Sequence, residues 1–319
     1  MSQAPTGDAP TWDGLYRWAL ARLGERNEAR WVVEEASGER LGAAVGAPPE
    51  KARRRLAEMV ERRVAGEPLQ YVLGSWSFRR LELMVDRRVL IPRPETEQVV
   101  EAALREIDRL CGEAAGAAEV TGTAEGTGRT GGTGVPAGGD PPGKRATVVD
   151  LGTGSGAIAL SLARERAGVE VWATDSSPGA VAVASANLNG LAGHAATRVR
   201  IVAGDWWQAL PAGLRRRVDL VVSNPPYISS AEMADLDAVV LEWEPRQALE
   251  SGPWGTEALE YLIGSAPEWL RPGGSLVLEM APHQAGELAA VARRAGFAEV
   301  EVAADLAGRP RSLIGRGAP

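Results

Sequence analysis

The spacing of apolar residues changes along this chain and divides it into three regions. Apolar residues within 56–64 recur at the helical period, and the prediction is a helical region over about 13–66. From 71 to 85 the period becomes two, which predicts a β-hairpin. From residue 147 onward, short apolar runs alternate with helical segments, as in a doubly wound α/β sheet.

The third region is predicted to form a mostly parallel, Rossmann-like sheet of seven strands. The strands are placed at 147–150, 170–174, 199–203, 218–222, 275–280, 299–303 and 312–315, and the last two form a closing pair. The predicted domains are a helical N-terminal domain over 1–70, a hairpin link over 71–90 and an α/β domain over 91–319.

The stretch 112–145 interrupts the α/β domain, after a helix predicted over 96–110. It contains eleven glycines and five threonines, and its only β-branched aliphatic residues are Val120 and Val135. Such a composition buries too little apolar area to offset the entropy that is lost on ordering. The prediction for 112–145 is therefore a disordered, Gly/Thr-rich insertion.

The composition is that of a soluble globular protein. Apolar residues make up 45% and charged residues 24% of the 319 residues, and no apolar run is long enough to span a membrane. The polar start lacks the apolar core of a signal peptide, so a cytoplasmic location is expected. One cysteine and two histidines argue against a disulfide framework and a metal site. The net charge of −7 argues against direct binding of nucleic acid.

A glycine-rich segment directly follows the first strand of the sheet. It reads DLGTGSG at 150–156 and opens a helix, so its backbone N–H groups can approach a ligand. Asp175 ends the second strand, where a carboxylate can accept hydrogen bonds from ribose hydroxyls. The candidate cofactor contacts here are Gly152, Thr153, Gly154, Ser155, Gly156 and Asp175. A nicotinamide enzyme and an S-adenosylmethionine (SAM) enzyme both fit this pattern, because it also matches the dinucleotide fingerprint.

Another candidate contact is the segment Gly-Asp-Trp-Trp at 204–207, where the third strand ends. Asp205 and Trp206 could hold and cover an adenine ring. Alternatively, Trp206 and Trp207 are aromatic residues of the core or its rim. The sequence alone leaves both interpretations open.

The segment with the most specific chemistry is Asn-Pro-Pro-Tyr at 224–227, after the fourth strand. The prolines end the strand and hold Asn224 at its carboxyl end, where open α/β sheets bind ligands. The side-chain oxygen of Asn224 and the carbonyl of Pro225 can accept hydrogen bonds from an –NH2 group and stabilise the positive charge that methylation develops. Tyr227 could stack on a planar amide or simply pack the loop. The candidate catalytic residues are Asn224, Pro225 and Tyr227, and the substrate site adds Pro226.

These segments together resemble the PrmC/HemK family, which methylates a glutamine side-chain amide in class-1 peptide chain release factors. The resemblance covers most of the chain apart from 112–145, and the segment LIPRPETE at 90–97 makes it specific. The other matching segments are YVLG at 71–74 with Phe78, DLGTGSGAIAL at 150–160, ATDSS at 173–177, GDW at 204–206, SNPPYIS at 223–229, EPRQAL at 244–249, Leu278-Glu279 with Gln284, and DLAGRPR at 305–311.

The resemblance implies a helical domain that recognises the release factor and a SAM-dependent methyltransferase domain. It places the cofactor on 152–156, Asp175, Trp206 and Asn224, and the glutamine of a Gly-Gly-Gln motif against 224–227. The expected enzyme is a monomer that uses SAM and binds no metal. Three segments depart from the family pattern outside the inferred chemical centre: GPWGTE at 252–257, MAPH at 280–283 and the long insertion at 112–145.

The sequence is also compatible with two alternative functions. An amino-methyltransferase acting on adenine or cytosine in nucleic acid would stack a flipped base on Tyr227. The acidic net charge and the lack of a basic target-recognition region argue against it. A non-catalytic scaffold is the other alternative, and the intact Asn-Pro-Pro-Tyr segment argues against that, because a binding module has no need of it.

Overall fold

The structure is a computed structural model, and it describes residues 11–43, 46–121, 145–191 and 193–318, without the side chains of 113–121. Its N-terminal region is helical, as predicted. The helices there are α1 (Trp12–Leu23), α2 (Arg26–Ser37), α3 (Glu50–Val64) and α4 (Leu69–Leu73).

Local sequence signals set the ends of α1, and apolar faces hold the helices together. The hydroxyl of Thr11 accepts a hydrogen bond from the N–H of Gly14, and Gly24 ends the helix in the left-handed conformation. The inward faces of the helices form one hydrophobic cluster, in which Leu15 and Leu56 are fully buried. Burying such a leucine side chain stabilises the fold by about 1.5–3 kcal/mol.

The structure corrects the start of the predicted hairpin. Residues 71–73 belong to α4, which ends at Gly74 with a φ of 80°, and Tyr71 is buried. The hairpin itself consists of β1 (Ser75–Phe78) and β2 (Leu81–Met84). The prediction of a hairpin is therefore confirmed from β1 onward. It is wrong for residues 71–73, where burial of Tyr71 favoured a short helix. The predicted domain boundary after residue 70 falls within α4.

Within the described residues, seven strands form one sheet in the order β5-β4-β3-β6-β7-β9-β8, which confirms the predicted fold. The strands are β3 (Ala146–Leu151), β4 (Val169–Asp175), β5 (Val199–Ala203), β6 (Val218–Ser223), β7 (Leu270–Glu279), β8 (Glu299–Ala304) and β9 (Pro310–Arg316). All neighbouring strands are parallel except β9, which is antiparallel to β7 and to β8.

Helices pack on both faces of this sheet. They are α5 (Thr96–Thr121), α6 (Ala157–Glu165), α7 (Pro178–Gly190), α9 (Glu257–Ser265) and α10 (Ala285–Arg294). The short helix α8 (Ala238–Trp243) precedes α9 in the chain and has no buried residue. Successive strand residues point to opposite faces, so Val148 and Leu220 join a core with α5 and α6. Val149 and Val221 join the other core, with α9 and α10. The central strands β3 and β6 are almost entirely buried on both faces, as expected for a parallel sheet between helices.

Helix α5 extends beyond its predicted end at residue 110, because the backbone is helical as far as Thr121. The first part of the predicted insertion is therefore helical, and its remainder, residues 122–144, lies outside the described residues. None of the described helices is both long enough and apolar enough to cross a membrane.

The strand order reverses between β3 and β6, and this reversal positions the site. Strands β4 and β5 are added on one side of β3, and β6 with the later strands lies on the other side. Because β3 and β6 are parallel neighbours, their carboxyl ends lie at the same edge of the sheet. The glycine-rich segment follows β3 and Asn224 follows β6. The fold thus brings the two candidate motifs to the place where open α/β sheets bind ligands.

Candidate active site

A cleft opens where the strand order reverses. Its walls include Gly152 and Gly154 after β3, Trp206 after β5, and Asn224 and Pro226 after β6. The glycine-rich loop and Asn224 therefore line the same cleft, at the sheet edge where open α/β sheets bind ligands.

A buried carboxyl group holds the loop that follows β3. Asp150 is fully buried, and its Oδ2 accepts hydrogen bonds from the hydroxyl of Thr153 at 2.6 Å and the N–H of Ala159 at 3.1 Å. Burial raises the pKa of Asp150 to about 7. The N–H groups of Gly152 and Thr153 also donate to the carbonyl of Thr174, each at 2.9 Å. These bonds hold the loop rigid beside the cleft.

Asp175 presents its carboxylate to the same cleft. One oxygen accepts a hydrogen bond from the N–H of Gly154 and the other from the N–H of Ser177, both at 2.9 Å. Burial raises the pKa of Asp175, and the two backbone hydrogen bonds partly offset that shift. Each oxygen keeps a further lone pair, so the carboxylate can still accept hydrogen bonds from ligand hydroxyls.

The two tryptophans after β5 have different surroundings. Trp206 lines the cleft and lies so close to Gly152 that a Cβ there would be 3.3 Å from its ring. Trp207 is buried and stacks on Trp269, with 5.7 Å between the ring centroids. Trp207 is therefore a core residue, whereas Trp206 lines the cleft at the rim of the core, and its contact with an adenine ring stays a prediction. Asp205 is exposed and is not part of the cleft wall.

A chain of hydrogen bonds connects Asn224 to a buried carboxyl group. The Nδ2 of Asn224 donates to Oγ1 of Thr96 at 3.2 Å, and Thr96 donates to Oε2 of Glu279 at 2.8 Å. The hydroxyl of Tyr227 donates to Oε1 of Glu279 at 3.2 Å. Burial and the Glu279 carboxylate raise the pKa of Tyr227, so its hydroxyl stays protonated. No group of the described residues donates to Oδ1 of Asn224, which leaves that oxygen able to accept.

A second set of contacts fixes the loop that carries Tyr227. The side-chain N–H groups of Gln284 donate to the carbonyl oxygens of Tyr227 at 2.9 Å and Gly255 at 3.0 Å. Gly255 has a φ of 80°, and a Cβ there would approach the Tyr227 oxygen to 2.9 Å. Only glycine fits this position without a shift of the loop.

The segment LIPRPETE at 90–97 forms part of the cleft wall. Leu90, Pro92 and Thr96 line the cleft, and so do Pro245 and Gln247 of the segment EPRQAL at 244–249. Both segments match the family pattern, but the sequence alone assigns no individual role to their residues. Among the described residues, no group of His, Cys, Asp and Glu is arranged to hold a metal ion.

Comparison with known proteins is consistent with this geometry. The domain family "Methyltransferase small domain" matches residues 140–252, and "PrmC N-terminal domain" matches residues 15–74. A release factor glutamine methyltransferase of Gloeobacter violaceus is 36% identical over 313 residues, which cover 95% of this chain and 96% of that protein. Another, of Bordetella pertussis, is 41% identical over 254 residues, which cover 80% and 79% of the two chains. The chain belongs to the release factor glutamine methyltransferase family.

The fold agrees with membership of the release factor glutamine methyltransferase family. The hMettl16 catalytic domain, solved in complex with MAT2A 3'UTR hairpin 6, matches with a TM-score of 0.50 and 14% identity. That match covers 83% of this chain and 81% of that chain and shows the fold alone. The sheet order and the matched domain family together confirm the predicted methyltransferase fold.

Most of the predicted site residues meet in one cleft. Those lining it are Gly152, Thr153, Gly154, Ser155, Asp175, Trp206, Asn224 and Pro226. Three predicted residues are not part of the wall. Gly156 is the N-cap of α6, Pro225 is buried, and Tyr227 reaches Glu279. Their predicted roles stay predictions.

Sequence reasoning gave no role to Thr96 and Glu279. Both lie in segments that matched the family, and both are buried in direct contact with the site. A signal for Glu279 was present, because this residue ends an apolar strand next to the strand that Asn224 follows. Thr96 carried no comparable signal, since the start of a helix is a common position for threonine.

Proposed function

We propose that this protein transfers a methyl group from SAM to the side-chain amide nitrogen of the glutamine in the Gly-Gly-Gln motif of class-1 peptide chain release factors. The observation that carries the proposal is the placement of Asn224 and the glycine-rich loop on one cleft. Relatives that match nearly the whole chain are named release factor glutamine methyltransferases, which supports the same substrate.

The cleft residues fit a nucleoside cofactor. Gly152 and Gly154 leave room for close approach of a ligand, Asp175 offers acceptors for ribose hydroxyls, and Trp206 offers an aromatic surface for a base. SAM supplies an electrophilic methyl group on a sulfonium sulfur when it is bound. We assign its binding to 152–156, Asp175, Trp206 and Asn224.

The glutamine amide needs orientation because its nitrogen is a weak nucleophile, with a lone pair delocalised into the carbonyl. Oδ1 of Asn224 and the carbonyl oxygen of Pro225 accept the two N–H groups of the substrate amide and turn its nitrogen towards the methyl donor. When SAM is bound, cleavage of its sulfonium S–CH3 bond would accompany formation of the new N–C bond, and positive charge would develop on this nitrogen. The two carbonyl dipoles stabilise that charge, and the nitrogen then loses a proton to solvent. Pro226 and Tyr227 complete the pocket for the planar amide.

The remaining parts of the proposal concern partner and location. Residues 1–70 recognise the release factor, supported by the match to the PrmC N-terminal domain over residues 15–74. The enzyme acts as a monomer in the cytoplasm and does not contact nucleic acid directly, consistent with its net charge of −7.

Methyl transfer from labelled SAM tests the proposal. The purified protein is incubated with a release factor that carries its Gly-Gly-Gln glutamine, and with the same factor in which alanine replaces that glutamine. We expect label in the first protein only, and mass spectrometry should place the methyl group on the glutamine.

Two results would contradict the assignment. Label that persists after replacement of the glutamine would show another acceptor. Label incorporated into DNA or RNA oligonucleotides, but not into the release factor, would instead favour the amino-methyltransferase of nucleic acid.

A further inference from the structure

Three separate elements bring Asn224, Thr96 and Glu279 together. Asn224 follows β6, Glu279 ends the neighbouring strand β7, and Thr96 begins α5. Thr96 and Glu279 are almost completely buried, with 4% and 1% of their surface exposed. Solvent therefore has little access to the hydrogen bond between Thr96 and Glu279.

The hydrogen bonds of Thr96 run from Asn224 through Thr96 to Glu279 in the structure. A hydroxyl group has one hydrogen, and Thr96 donates it to Oε2 of Glu279 at 2.8 Å. Its oxygen can therefore only accept from Asn224, and the donor at 3.2 Å is the Nδ2 of that side chain. No cation of the described residues lies within ion-pair distance of Glu279. Its carboxyl group therefore acts on the site through the hydrogen bonds that it accepts from Thr96 and Tyr227.

We propose that Glu279 is a positioning residue, which through the hydroxyl of Thr96 fixes the amide of Asn224 with its oxygen directed to the substrate. This inference rests on the proposed function and adds a residue that acts through Thr96. With Nδ2 held by Thr96, Oδ1 is the atom left to accept an N–H of the glutamine amide. A rotated Asn224 amide would face the substrate –NH2 group with its own –NH2 group and would not bind it.

The charge of Glu279 controls this direction. An ionised carboxylate can only accept, so Thr96 must donate to it. A protonated carboxyl group can donate to Thr96, which frees the threonine hydrogen for Oδ1 of Asn224 and favours the rotated amide. The charged and titratable groups that act on Glu279 are Tyr227 after β6, Arg311 on β9 and Glu95 before α5.

The structure gives the pH range in which this control operates. Burial raises the pKa of Glu279 to about 7, and the hydrogen bonds from Thr96 and Tyr227 together with Arg311 partly offset the rise. Methyl transfer should therefore increase as the pH rises through about 7 and Glu279 ionises. Asp150 has a similar pKa of about 7 beneath the glycine-rich loop, so the test must separate the two carboxyl groups.

The test compares Thr96→Val, Thr96→Ser and Glu279→Gln with the wild type, using kcat for methylation of a release factor at a series of pH values. Thr96→Val keeps the shape but removes the hydroxyl, and we expect kcat to fall by about 10- to 100-fold, as for a small misplacement of a catalytic group. The increase of kcat with pH should also disappear, because Glu279 no longer contacts Asn224 through Thr96. Thr96→Ser retains a hydroxyl and should restore most of the lost rate together with the pH dependence.

Glu279→Gln identifies the titrating group. This variant cannot ionise, so its kcat should not increase through the same pH range, although Asp150 is unchanged. If Thr96→Val or Glu279→Gln kept the wild-type pH profile and rate, the proposal would be overturned. Absence of methylation by the wild type would contradict the proposed function instead. Binding of SAM, measured by calorimetry, should be retained in all four proteins, because 152–156, Asp175 and Trp206 are unchanged. Loss of this binding in Thr96→Val and Thr96→Ser alike would assign Thr96 a structural role and overturn the inference.

Discussion

The guanidinium group of Arg93 lies 2.5 Å from the carboxylate of Glu244, and this ion pair joins two segments that both line the cleft. Only 2% of the Glu244 side chain is exposed, against 34% of the Arg93 side chain. Glu244 also accepts a hydrogen bond from the N–H of Ile91 at 3.3 Å. The ion pair therefore holds residues 90–97 against residues 244–249.

Replacement of Arg93 by leucine should destabilise the protein, because it leaves the Glu244 carboxylate buried without its cation. Breaking a buried pair costs about 3–5 kcal/mol, and we expect a value near the lower end because Arg93 is partly exposed. Urea denaturation monitored by circular dichroism measures the free energy of unfolding. The matched control is Arg54→Leu, which breaks a well-exposed pair with Glu50 and should change stability by less than about 1 kcal/mol. Equal losses in the two variants would show that burial of Glu244 is unimportant.

Replacement of Asn224 by alanine should remove turnover and leave the fold intact. The side chain lies at the end of a strand and lines the cleft, so its loss opens no cavity in the core. Removal of one dipole that stabilises developing charge costs about 10²- to 10³-fold in kcat. Single-turnover methyl transfer measures the loss, and circular dichroism checks the fold. Wild-type turnover in this variant would contradict the role proposed for Asn224.

Replacement of Gly152 by alanine should weaken the binding of SAM. Gly152 has a φ of 71°, and the added Cβ would be 3.3 Å from the ring of Trp206, so the indole must shift slightly within the cleft. We expect a dissociation constant raised by about tenfold, equivalent to about 1.4 kcal/mol. Isothermal titration calorimetry measures it.

Gly38→Ala is the control for backbone strain at Gly152. Gly38 has a similar φ of 74°, and its added Cβ would meet nothing within 4 Å. Both variants should lose about 1–2 kcal/mol of stability because alanine disfavours the left-handed region. Only Gly152→Ala should change the affinity for SAM. A similar loss of affinity in both would assign the effect to general destabilisation.

Replacement of Glu279 by glutamine should stabilise the protein at high pH relative to the wild type. The pKa of Glu279 is raised from 4.5 to about 7 in the folded protein, so the folded state binds this proton more tightly than the unfolded state does. Its stabilising contribution is complete below the unfolded pKa and is lost as the pH rises towards the folded value. Glutamine does not titrate.

The stability of Glu279→Gln minus that of the wild type should thus increase by roughly 3 kcal/mol between about pH 4 and pH 8. Denaturation midpoints across this pH range measure the difference. The contribution of Asp150 to the pH dependence cancels, because both proteins contain Asp150. A difference that does not vary with pH would show that Glu279 titrates normally in the folded protein.

The period of the apolar residues predicted the sheet well because its central strands, β3 and β6, are buried apolar runs between polar loops. Strand β7 is an exception, since it starts at Leu270 rather than near residue 275. Its first half contains Pro272 and two glycines, which are typical of a loop, yet Leu270 pairs with Val218 beside an irregular register. Tertiary pairing overrode local preference there, as burial of Tyr71 did in α4.

The sequence by itself determined the α/β fold, the glycine-rich loop and Asn224 as the candidate acceptor, because these depend on local periodicity and on residues that end strands. The tertiary structure decided which tryptophan faces the cleft and which carboxyl group supports Asn224. Thr96 lies 128 residues from Asn224 and 183 residues from Glu279 along the chain. Contacts over such separations depend on how strands and helices pack, and no local pattern encodes them.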